Sequence, residues 1–307
     1  MSTGWIAGSV VLALLVAGGL FMGWLFAKRP LEVWEWGTRR ALLRAGLKKT
    51  VVQAPVGPQT VFVGGSGPVL VLLHGAGHQA GTWAQVAPAL AKRYTLVIPD
   101  LAGHGGSAPS AGPIQVSDVF GALEAVIRAT AGENRVRVVG NSMGGWMAMV
   151  LGARHPEWVE RVVAVNGGSP QGASPGVSLF PRTREEARRS MAQTRDAGSP
   201  AVPDNVLDDL VRQIGAGPLA RLAAAAAGMG AWLLGDEQLQ AMKVPVRLVW
   251  GVSDQLMTMD YARRMAELLP DAQLIPVERC GHIPQQEAPE RFAIALSRAL
   301  GEAPPAR

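Results

Sequence analysis

The feature that most constrains the fold of this chain is a regular alternation of two kinds of segment between residues 61 and 300. Short apolar runs, rich in β-branched residues, alternate with longer amphipathic stretches that have helical spacing. Continuous apolar runs are typical of strands buried on both faces of a parallel sheet, and helices connect such strands. The pattern predicts an α/β protein with a doubly wound, mostly parallel sheet. The predicted strands are 61–63, 69–73, 94–99, 136–139, 161–165, 244–250 and 272–277, and the predicted helices are 82–92, 117–130, 143–154, 260–269 and 288–300.

One long stretch, residues 168–240, breaks this alternation because no strand is readable in it. Its sequence is polar and helical around residues 182–189 and rich in alanine at 223–227. We predict a helical cap over 168–240, inserted into an α/β core that comprises residues 59–167 and 241–307. The leucine, methionine and alanine side chains of this cap suit an apolar substrate pocket, although helix packing needs the same residues.

The N-terminal residues 2–27 contain no charged side chain. As a helix the apolar part of this run is about 36 Å long, which crosses a hydrocarbon core of about 30 Å with some tilt. Trp5 and Trp24 lie near its two ends, as in the aromatic belts of membrane proteins. A cleaved signal peptide is the alternative, but no basic residue precedes the run and no small-residue cleavage site follows it. We therefore predict a transmembrane anchor over residues 1–30.

The positive charge of the chain is concentrated behind this apolar run. Residues 1–50 hold seven Lys or Arg and two Glu, whereas the rest of the chain balances to zero, so the net charge of +5 indicates no nucleic-acid surface. The positive-inside rule predicts a single-pass protein with its body on the cytoplasmic face. We predict a basic juxtamembrane segment over 31–58, in which residues 31–49 form either a helix on the membrane surface or a solvated basic linker.

A serine-centred glycine motif, G-N-S-M-G at residues 140–144, follows a predicted strand and opens a predicted helix. A serine in such a strand-to-helix turn has its hydroxyl exposed above the sheet, and the glycines leave room for the tight bend. The N-terminus of the helix directs backbone N–H groups at any negative charge that develops nearby. The motif predicts Ser142 as a nucleophile and the N–H group of Met143 as an oxyanion-hole donor.

The glycine-rich loop H-G-A-G at residues 74–77 follows another predicted strand. Acyl transfer needs a second oxyanion donor, and the N–H group of Ala76 is the candidate in this loop. The same loop also resembles a dinucleotide-binding fingerprint, because the spacing G-x-G-x-x-A begins at residue 75 and Asp100 ends the next strand. That alternative has alanine at its third position and leaves the serine motif unexplained.

Asp254 and His282 each follow a predicted strand, as Ser142 does. Because the carboxyl ends of parallel strands meet at one edge of a sheet, we expect these three side chains to lie close together. In this arrangement His282 would take the serine proton, and Asp254 would fix the tautomer of the imidazole ring and stabilise its charged form. The chain order of serine, aspartate and histidine is the order found in α/β-hydrolases.

The other histidines and the single cysteine suggest no second chemistry. We expect His74 and His104, which lie in glycine-rich turns, to bond to the backbone, His78 to line the mouth of the site, and His155 to lie on the surface. No two histidines have the spacing of a metal pair on a helix, and one cysteine forms neither an internal disulfide nor a multi-cysteine zinc site. We predict neither a metal nor a cofactor.

Over residues 60–300 the chain resembles the α/β-hydrolase superfamily. The resemblance rests on five ordered matches, H-G at 74–75, D-L-A-G-H-G-G-S at 100–107, G-N-S-M-G-G at 140–145, Asp254, and G-H at 281–282. It implies the α/β-hydrolase fold and a catalytic triad of Ser142, Asp254 and His282. The serine motif is similar to those of monoacylglycerol-lipase-like enzymes and of meta-cleavage-product C–C hydrolases, although Ile283 stands where the latter usually have tryptophan.

The resulting hypothesis is a membrane-anchored serine hydrolase that cleaves carboxylic esters, including lipid-like ones, through an acyl-enzyme. Its expected partners are a small-molecule or lipid-like ester and the membrane lipids around the N-terminal helix, with no nucleic acid. A C–C bond hydrolase of the meta-cleavage-product type and an acyltransferase are alternatives that would share the triad. A non-catalytic membrane adaptor on a hydrolase scaffold is the alternative from a different class.

Overall fold

The computed structural model describes residues 2–174 and 176–302. Within these residues eight strands form one sheet in the spatial order β1-β2-β4-β3-β5-β6-β7-β8. The strands are β1 Lys48–Ala54, β2 Gly57–Gly65, β3 Val69–Leu73, β4 Thr95–Pro99, β5 Val136–Asn141, β6 Val159–Val165, β7 Val246–Gly251 and β8 Ala272–Val277. Strand β2 pairs antiparallel with β1 and β4, whereas β4, β3, β5, β6, β7 and β8 pair in parallel.

Helices connect the parallel strands. Those in the described residues are α1 Ser2–Lys28, α2 Pro30–Arg44, α3 Ala87–Leu90, α4 Val116–Ala131, α5 Met143–Arg154, α6 Arg184–Thr194, α7 Asp204–Ala216, α8 Pro218–Ala223, α9 Asp236–Gln240, α10 Met259–Leu268, α11 Pro284–Glu287 and α12 Pro289–Leu300. Short 3₁₀ turns lie at Ala80–Trp83, Pro170–Gly172, Ala226–Gly228 and Gly230–Trp232.

Alternating side chains along the central strands enter two separate cores, one on each face of the sheet. Val71 and Leu73 of β3 pack in the core that contains α4, α5 and α10. Leu70 and Leu72 pack in the other core, with α2 and α12. The continuous apolar runs are therefore buried on both faces, and the predicted doubly wound, mostly parallel sheet is confirmed.

The sequence pattern does not predict strand β1, which lies inside the segment expected to be a basic juxtamembrane stretch. β1 forms the antiparallel edge of the sheet, with Lys48 opposite Val63 of β2. Most side chains of β1 are exposed. Its sequence, K-K-T-V-V-Q-A, therefore needs no apolar residues at regular positions, and it has neither a continuous apolar run nor a strict alternation of apolar and polar residues. The sheet therefore begins before residue 59.

Helix α2 packs on the body of the protein. Leu42 is fully buried, and Nη2 of Arg39 donates to Oδ2 of Asp100 over 2.6 Å. The carboxylate of this ion pair is fully buried, so its guanidinium partner compensates a buried charge of the fold. Of the two forms expected for residues 31–49, a helix or a solvated linker, the structure contains a helix, but this helix spans Pro30–Arg44 and one of its cations points inward.

Helix α1 is long and apolar enough to cross a membrane by length and composition. Its candidate span is Val11–Lys28, and none of that window is buried inside the protein. Met1, Pro175 and residues 303–307, which belong to the predicted anchor, cap and core, lie outside the described residues, as does the side chain of Trp5.

Between β6 and β7 the described part of the chain contains helices and turns but no strand. Helices α6 and α7 of this segment are joined by ion pairs, among them a 2.6 Å contact between Arg184 and Asp208. The segment leaves the sheet after β6 and returns at β7, so its helices are placed beside the carboxyl ends of the central strands.

Candidate active site

Ser142 lies in the sharp turn between β5 and α5, with φ 54° and ψ −119°. A residue with a side chain rarely adopts a positive φ, and the N–H group of Ser142 is held in place by the carbonyl of Val165 over 3.0 Å. The neighbouring glycines make the bend possible, because a β-carbon on Gly140 would lie 2.1 Å from the carbonyl oxygen of Gly144. The turn thus holds the serine at the carboxyl edge of the sheet.

The structure brings His282 and Asp254 together at the same edge. Nδ1 of His282 lies 2.7 Å from Oδ2 of Asp254, whose side chain is fully buried. The other carboxylate oxygen, Oδ1, accepts the N–H groups of Leu256 and Met257 over 2.9 Å and 3.2 Å. Because the carboxylate accepts from Nδ1, the imidazole ring leaves Nε2 free to act as a base.

The backbone of His282 is fixed by two other parts of the fold. Its carbonyl accepts from Nδ2 of Asn141 over 2.9 Å, and its N–H group donates to the carbonyl of Thr194 in α6 over 2.8 Å. Asn141 directly precedes Ser142, and its Oδ1 accepts from Nε2 of Gln285 over 3.1 Å. The loop that carries the histidine is therefore tied both to the serine turn and to the segment between β6 and β7.

Asn166 is a site residue that sequence reasoning misses. It follows β6 directly with φ 40°, and its Nδ2 donates to Oδ2 of Asp254 over 2.8 Å. Its Oδ1 accepts the N–H group of Gly251 over 2.7 Å, which links the ends of β6 and β7. The available signal was position, since Asn166 is a polar residue before two glycines at the end of an apolar strand.

The loop that follows β3 lies directly against the serine turn. A β-carbon on Gly75 would lie 3.1 Å from Cβ of Ser142, and Ala76 and Met143 line the same cavity as the serine. Met143 is the first residue of α5, so its N–H group has no acceptor within the helix. The two predicted oxyanion-hole residues thus flank Ser142.

The carboxylate of Asp100 is used by the fold. Oδ1 accepts the N–H group of Ala80 over 2.8 Å, and Oδ2 accepts both the N–H group of Gly106 over 2.8 Å and the side chain of Arg39. The loop after β3 leads into the short 3₁₀ turn Ala80–Trp83 rather than the helix N-terminus that binds a pyrophosphate. These contacts argue against the dinucleotide-binding alternative.

The remaining histidines have structural roles. The ring of His74 is fully buried and accepts the N–H group of Leu101 over 2.9 Å, and burial lowers the pKa of His74 well below its ordinary value. Burial also lowers the pKa of His104 to about 4. His155 is half-buried rather than on the open surface, because its ring stacks on Trp158 with the centroids 4.0 Å apart.

Two cavities meet at Ser142. The larger one, of about 320 Å³, is called the apolar lobe; it is lined by Ala76, Met143, Trp146, Ala173, Leu179, Phe180, Leu219, Leu222 and Met229, among others. The smaller one, of about 180 Å³, is called the histidine lobe; it is lined by His78, Ser178, Met191, Thr194, Leu210, Gln213, Ile214 and His282, among others. Burial and the neighbouring His282 lower the pKa of His78 to about 4, so it lines this lobe as a neutral group.

A mostly parallel sheet with a serine-bearing turn after β5, and with a hydrogen-bonded aspartate and histidine after β7 and β8, defines the α/β-hydrolase class of proteins. The chain belongs to the alpha/beta hydrolase family, which its residues 70–295 match. The predicted α/β-hydrolase fold and the resemblance to this superfamily are thereby confirmed.

Several proteins similar to this chain are named as hydrolases. Over 250 residues it is 32% identical to the pimeloyl-[acyl-carrier protein] methyl ester esterase of Aromatoleum aromaticum, across 75% of this chain and 96% of the relative. Over 251 residues it is 25% identical to the 2-hydroxy-6-oxo-6-phenylhexa-2,4-dienoate hydrolase of Burkholderia cepacia, across 74% of this chain and 86% of the relative. A solved structure of a bacterial membrane phospholipase A is similar with a TM-score of 0.75 and 25% identity, across 97% of this chain and 98% of that chain. These likenesses support the assignment of the chain to the hydrolases.

Proposed function

We propose that this chain is a membrane-anchored serine hydrolase that cleaves a carboxylic ester with an apolar acyl group. The observation that carries the proposal is the position of Ser142 where the apolar lobe meets the histidine lobe, with the hydrogen-bonded pair of His282 and Asp254 on one side only. A serine between a base and an apolar pocket has the arrangement that ester cleavage through an acyl-enzyme requires.

In the proposed reaction, Oγ of Ser142 attacks the ester carbonyl carbon while Nε2 of His282 takes the serine proton. The N–H groups of Ala76 and Met143 bind the oxyanion of the tetrahedral intermediate. His282 then gives the proton to the leaving oxygen, the alcohol departs, and the acyl group stays on Ser142. Water attacks this acyl-enzyme with the same ring as base, which releases the acid and the free serine, while Asp254 stabilises the imidazolium.

The position of His282 assigns the two lobes to the two parts of the ester. The base must protonate the leaving oxygen, so the alcohol part lies in the histidine lobe and the acyl part lies in the apolar lobe. Trp146, Leu222 and Met229 line the acyl side, which suits a hydrocarbon chain.

The lack of cationic side chains around the two lobes favours the cleavage of an ester over the cleavage of a C–C bond. Among the described residues, no lysine or arginine lines either lobe. A dienoate substrate, like the one in the name of the Burkholderia cepacia relative, carries a carboxylate whose burial without a cationic partner is costly. An uncharged ester carries no such cost.

The proposed membrane anchor is α1. Its span Val11–Lys28 is free of protein contacts that bury it, and the guanidinium of Arg29 lies 5.9 Å from the ring centroid of Trp24 near the end of the span. The likeness to the membrane phospholipase A covers 97% of the chain and so extends into α1. From the positive-inside rule and the basic residues behind α1, we infer that the body lies on the cytoplasmic face, beside membrane-dissolved esters.

Covalent labelling by a fluorophosphonate probe tests this proposal on the full-length protein in membranes. The wild type should be labelled, and the Ser142→Ala variant should lose both the label and about 10³-fold or more in kcat/KM on 4-nitrophenyl esters. The Ser110→Ala variant is the matched control, because it removes an exposed serine that lines neither lobe and should retain both properties.

Two results would contradict the proposal. Label that persists in the Ser142→Ala variant would place the nucleophile elsewhere, and folded wild type that neither labels nor hydrolyses esters would favour the non-catalytic adaptor. Product analysis with an added short-chain alcohol separates hydrolysis from acyl transfer, since only a transferase would form the new ester in preference to the acid.

A further inference from the structure

Helix α7 lies between the histidine lobe and the junction of α1 with α2. Leu210, Gln213 and Ile214 of this helix line the histidine lobe. Other side chains of α7 bond to residues 26–32, where α1 ends and α2 begins. One helix therefore touches both the reaction cavity and the base of the proposed membrane anchor.

At the end of α1, a side chain of α7 replaces a missing backbone donor. The carbonyl oxygen of Phe26 would accept from residue 30 in a continuing helix, but Pro30 has no N–H group. Nδ2 of Asn205 donates to this carbonyl over 3.1 Å instead. The carboxyl end of the apolar helix is thus completed by a residue of α7.

At the start of α2, Asp209 supplies the cap that the local sequence lacks. The N-cap residue Arg29 makes no side-chain capping bond, and the N–H group of Leu31 donates to Oδ2 of Asp209 over 3.0 Å. The side chain of Asp209 is fully buried, and its Oδ1 accepts from Nε of Arg212 over 2.8 Å. Nη2 of Arg212 also bonds to Glu32 over 2.7 Å. A carboxylate at a helix N-terminus is favoured by the helix dipole, so this network binds α2 to α7.

We propose that Asp209 is a positioning residue that fastens α7 to the base of the membrane anchor, and that the histidine lobe in consequence takes its ester from the lipid bilayer. Helix α7 forms part of the wall of the histidine lobe, and the same helix binds residues 26–32, where the proposed membrane span ends. The lobe is therefore held beside the bilayer surface, and it loses its wall when α2 separates from α7. This inference rests on the proposed function, and it adds that the ester substrate comes from the lipid bilayer rather than from water.

The test compares the Asp209→Ala and Asp208→Ala variants of the full-length protein in vesicles of phosphatidylcholine and phosphatidylglycerol. Asp208 is the matched control because it is the adjacent carboxylate on α7, it is hydrogen-bonded to Arg184 of α6, and it interacts with Lys28 of α1 through charge alone. Active sites are counted by fluorophosphonate labelling, so that misfolded protein does not enter the rates. The substrates are 4-nitrophenyl acetate in water and a long-chain 4-nitrophenyl ester dissolved in the vesicles.

The measured quantity is the ratio of kcat/KM for the vesicle ester to kcat/KM for the acetate. The Asp209→Ala variant should lower this ratio about tenfold, as expected for the loss of a hydrogen bond to a charged group. The Asp209→Asn variant keeps an acceptor for the N–H group of Leu31 and should recover most of the ratio. The Asp208→Ala variant should stay within about twofold of the wild type, as for an exposed ion pair.

An unchanged ratio in the Asp209→Ala variant, or equal losses in both alanine variants, would overturn this inference. The proposed function would still stand in either case if hydrolysis of the acetate depends on Ser142. A general loss of fold is recognised by a reduced labelled fraction, and an unchanged ratio among the sites that remain labelled still overturns the inference.

Hydrogen exchange tests the contact without relying on activity. In the Asp209→Ala variant, residues 31–34 and residues 204–216 should both exchange faster than in the wild type, because each segment loses the other as a partner. The Asp208→Ala variant should leave residues 31–34 at the wild-type rate. Wild-type protection of both segments in the Asp209→Ala variant would overturn the inference whatever the enzyme does.

Discussion

Asn166 donates a hydrogen bond from Nδ2 to Oδ2 of Asp254 over 2.8 Å, and the same carboxylate oxygen receives Nδ1–H of His282 over 2.7 Å. The other oxygen accepts two backbone N–H groups, those of Leu256 and Met257. The carboxylate cannot turn away from the imidazole ring without breaking several of these bonds in a buried setting. Asn166 therefore contributes to the orientation of the proposed base without touching the substrate.

Replacement of Asn166 by glycine should lower kcat by about 10- to 100-fold, because a hydrogen bond to a charged acceptor contributes about 1.5–3 kcal/mol. Glycine is the chosen residue since φ is 40° here, and it adopts that conformation without strain. Steady-state kinetics on a 4-nitrophenyl ester measure the effect. The Asn134→Gly variant, which alters an exposed asparagine bonded to Ala131, is the control. An unchanged kcat in the Asn166→Gly variant would show that the bond is not needed.

The serine turn should not tolerate a side chain at Gly144. A β-carbon there would lie 2.4 Å from the carbonyl oxygen of Leu73, so the Gly144→Ala variant should lose about 1–3 kcal/mol of unfolding free energy. Gly121 of α4 has no atom within 4 Å of the corresponding position. The Gly121→Ala variant should therefore gain about 1 kcal/mol from helix propensity. Thermal unfolding in detergent measures both, and shifts of Tm in the same direction would contradict the prediction.

The two lobes should give separable substrate preferences. Ala173 lines only the apolar lobe and Met191 only the histidine lobe. The Ala173→Phe variant should lose about tenfold or more in kcat/KM for long acyl chains but not for acetates, because each displaced methylene costs about 1 kcal/mol. The Met191→Phe variant should instead discriminate against bulky alcohols at a fixed acyl chain. A panel of esters in which either the acyl part or the alcohol part is varied checks this. The assignment of the lobes would be reversed if the Ala173→Phe variant discriminated among alcohols and the Met191→Phe variant among acyl chains.

The buried histidines should make the folded state sensitive to mild acid. Burial lowers the pKa of His104 to about 4 and that of His74 well below its ordinary value, whereas both titrate near pH 6.5 in the unfolded chain. Between these values the unfolded state binds protons that the folded state does not. Stability is therefore fully present above pH 6.5 and is lost as the pH falls toward 4. At pH 5, His104 alone should account for about 2 kcal/mol.

Thermal unfolding between pH 8 and pH 5 measures this effect. The His104→Asn variant keeps a donor for the carbonyl of Ala102, and its Tm should fall less steeply than that of the wild type. Above pH 7 the plots of Tm against pH should be parallel for the wild type and the variant, because His104 is neutral there in both the folded and the unfolded chain. Parallel curves down to pH 5 would contradict the prediction.

Sequence reasoning succeeds where the chemistry is local or where topology decides position. Strands such as β3 and β5 are continuous apolar runs, so their burial on two faces follows from composition alone. Asp254 and His282 each come after a parallel strand, and the shared edge of the sheet is enough to predict that they meet. The bend at Ser142 is readable because only glycine fits at positions 140 and 144.

The contacts that sequence reasoning misses join single polar residues far apart in the chain. Arg39 reads as one of several cations behind the anchor, and only the folded chain places it on Asp100, 61 positions away. Asp209 is one of three aspartates in α7, and nothing local distinguishes the one that caps α2. Strand β1 is missed for a different reason, because an exposed edge strand needs no apolar pattern.

The order of the site residues along the chain has a consequence for biosynthesis. The proposed nucleophile, Ser142, is made long before its base, since His282 follows the last strand, β8. Before the segment that bears His282 has been made, the nascent chain already carries the apolar helix α1 but lacks the proposed base of Ser142. If Ser142 and His282 act as proposed, a chain inserted into the bilayer during translation would stay inactive until His282 has been made and its loop has packed against the serine turn.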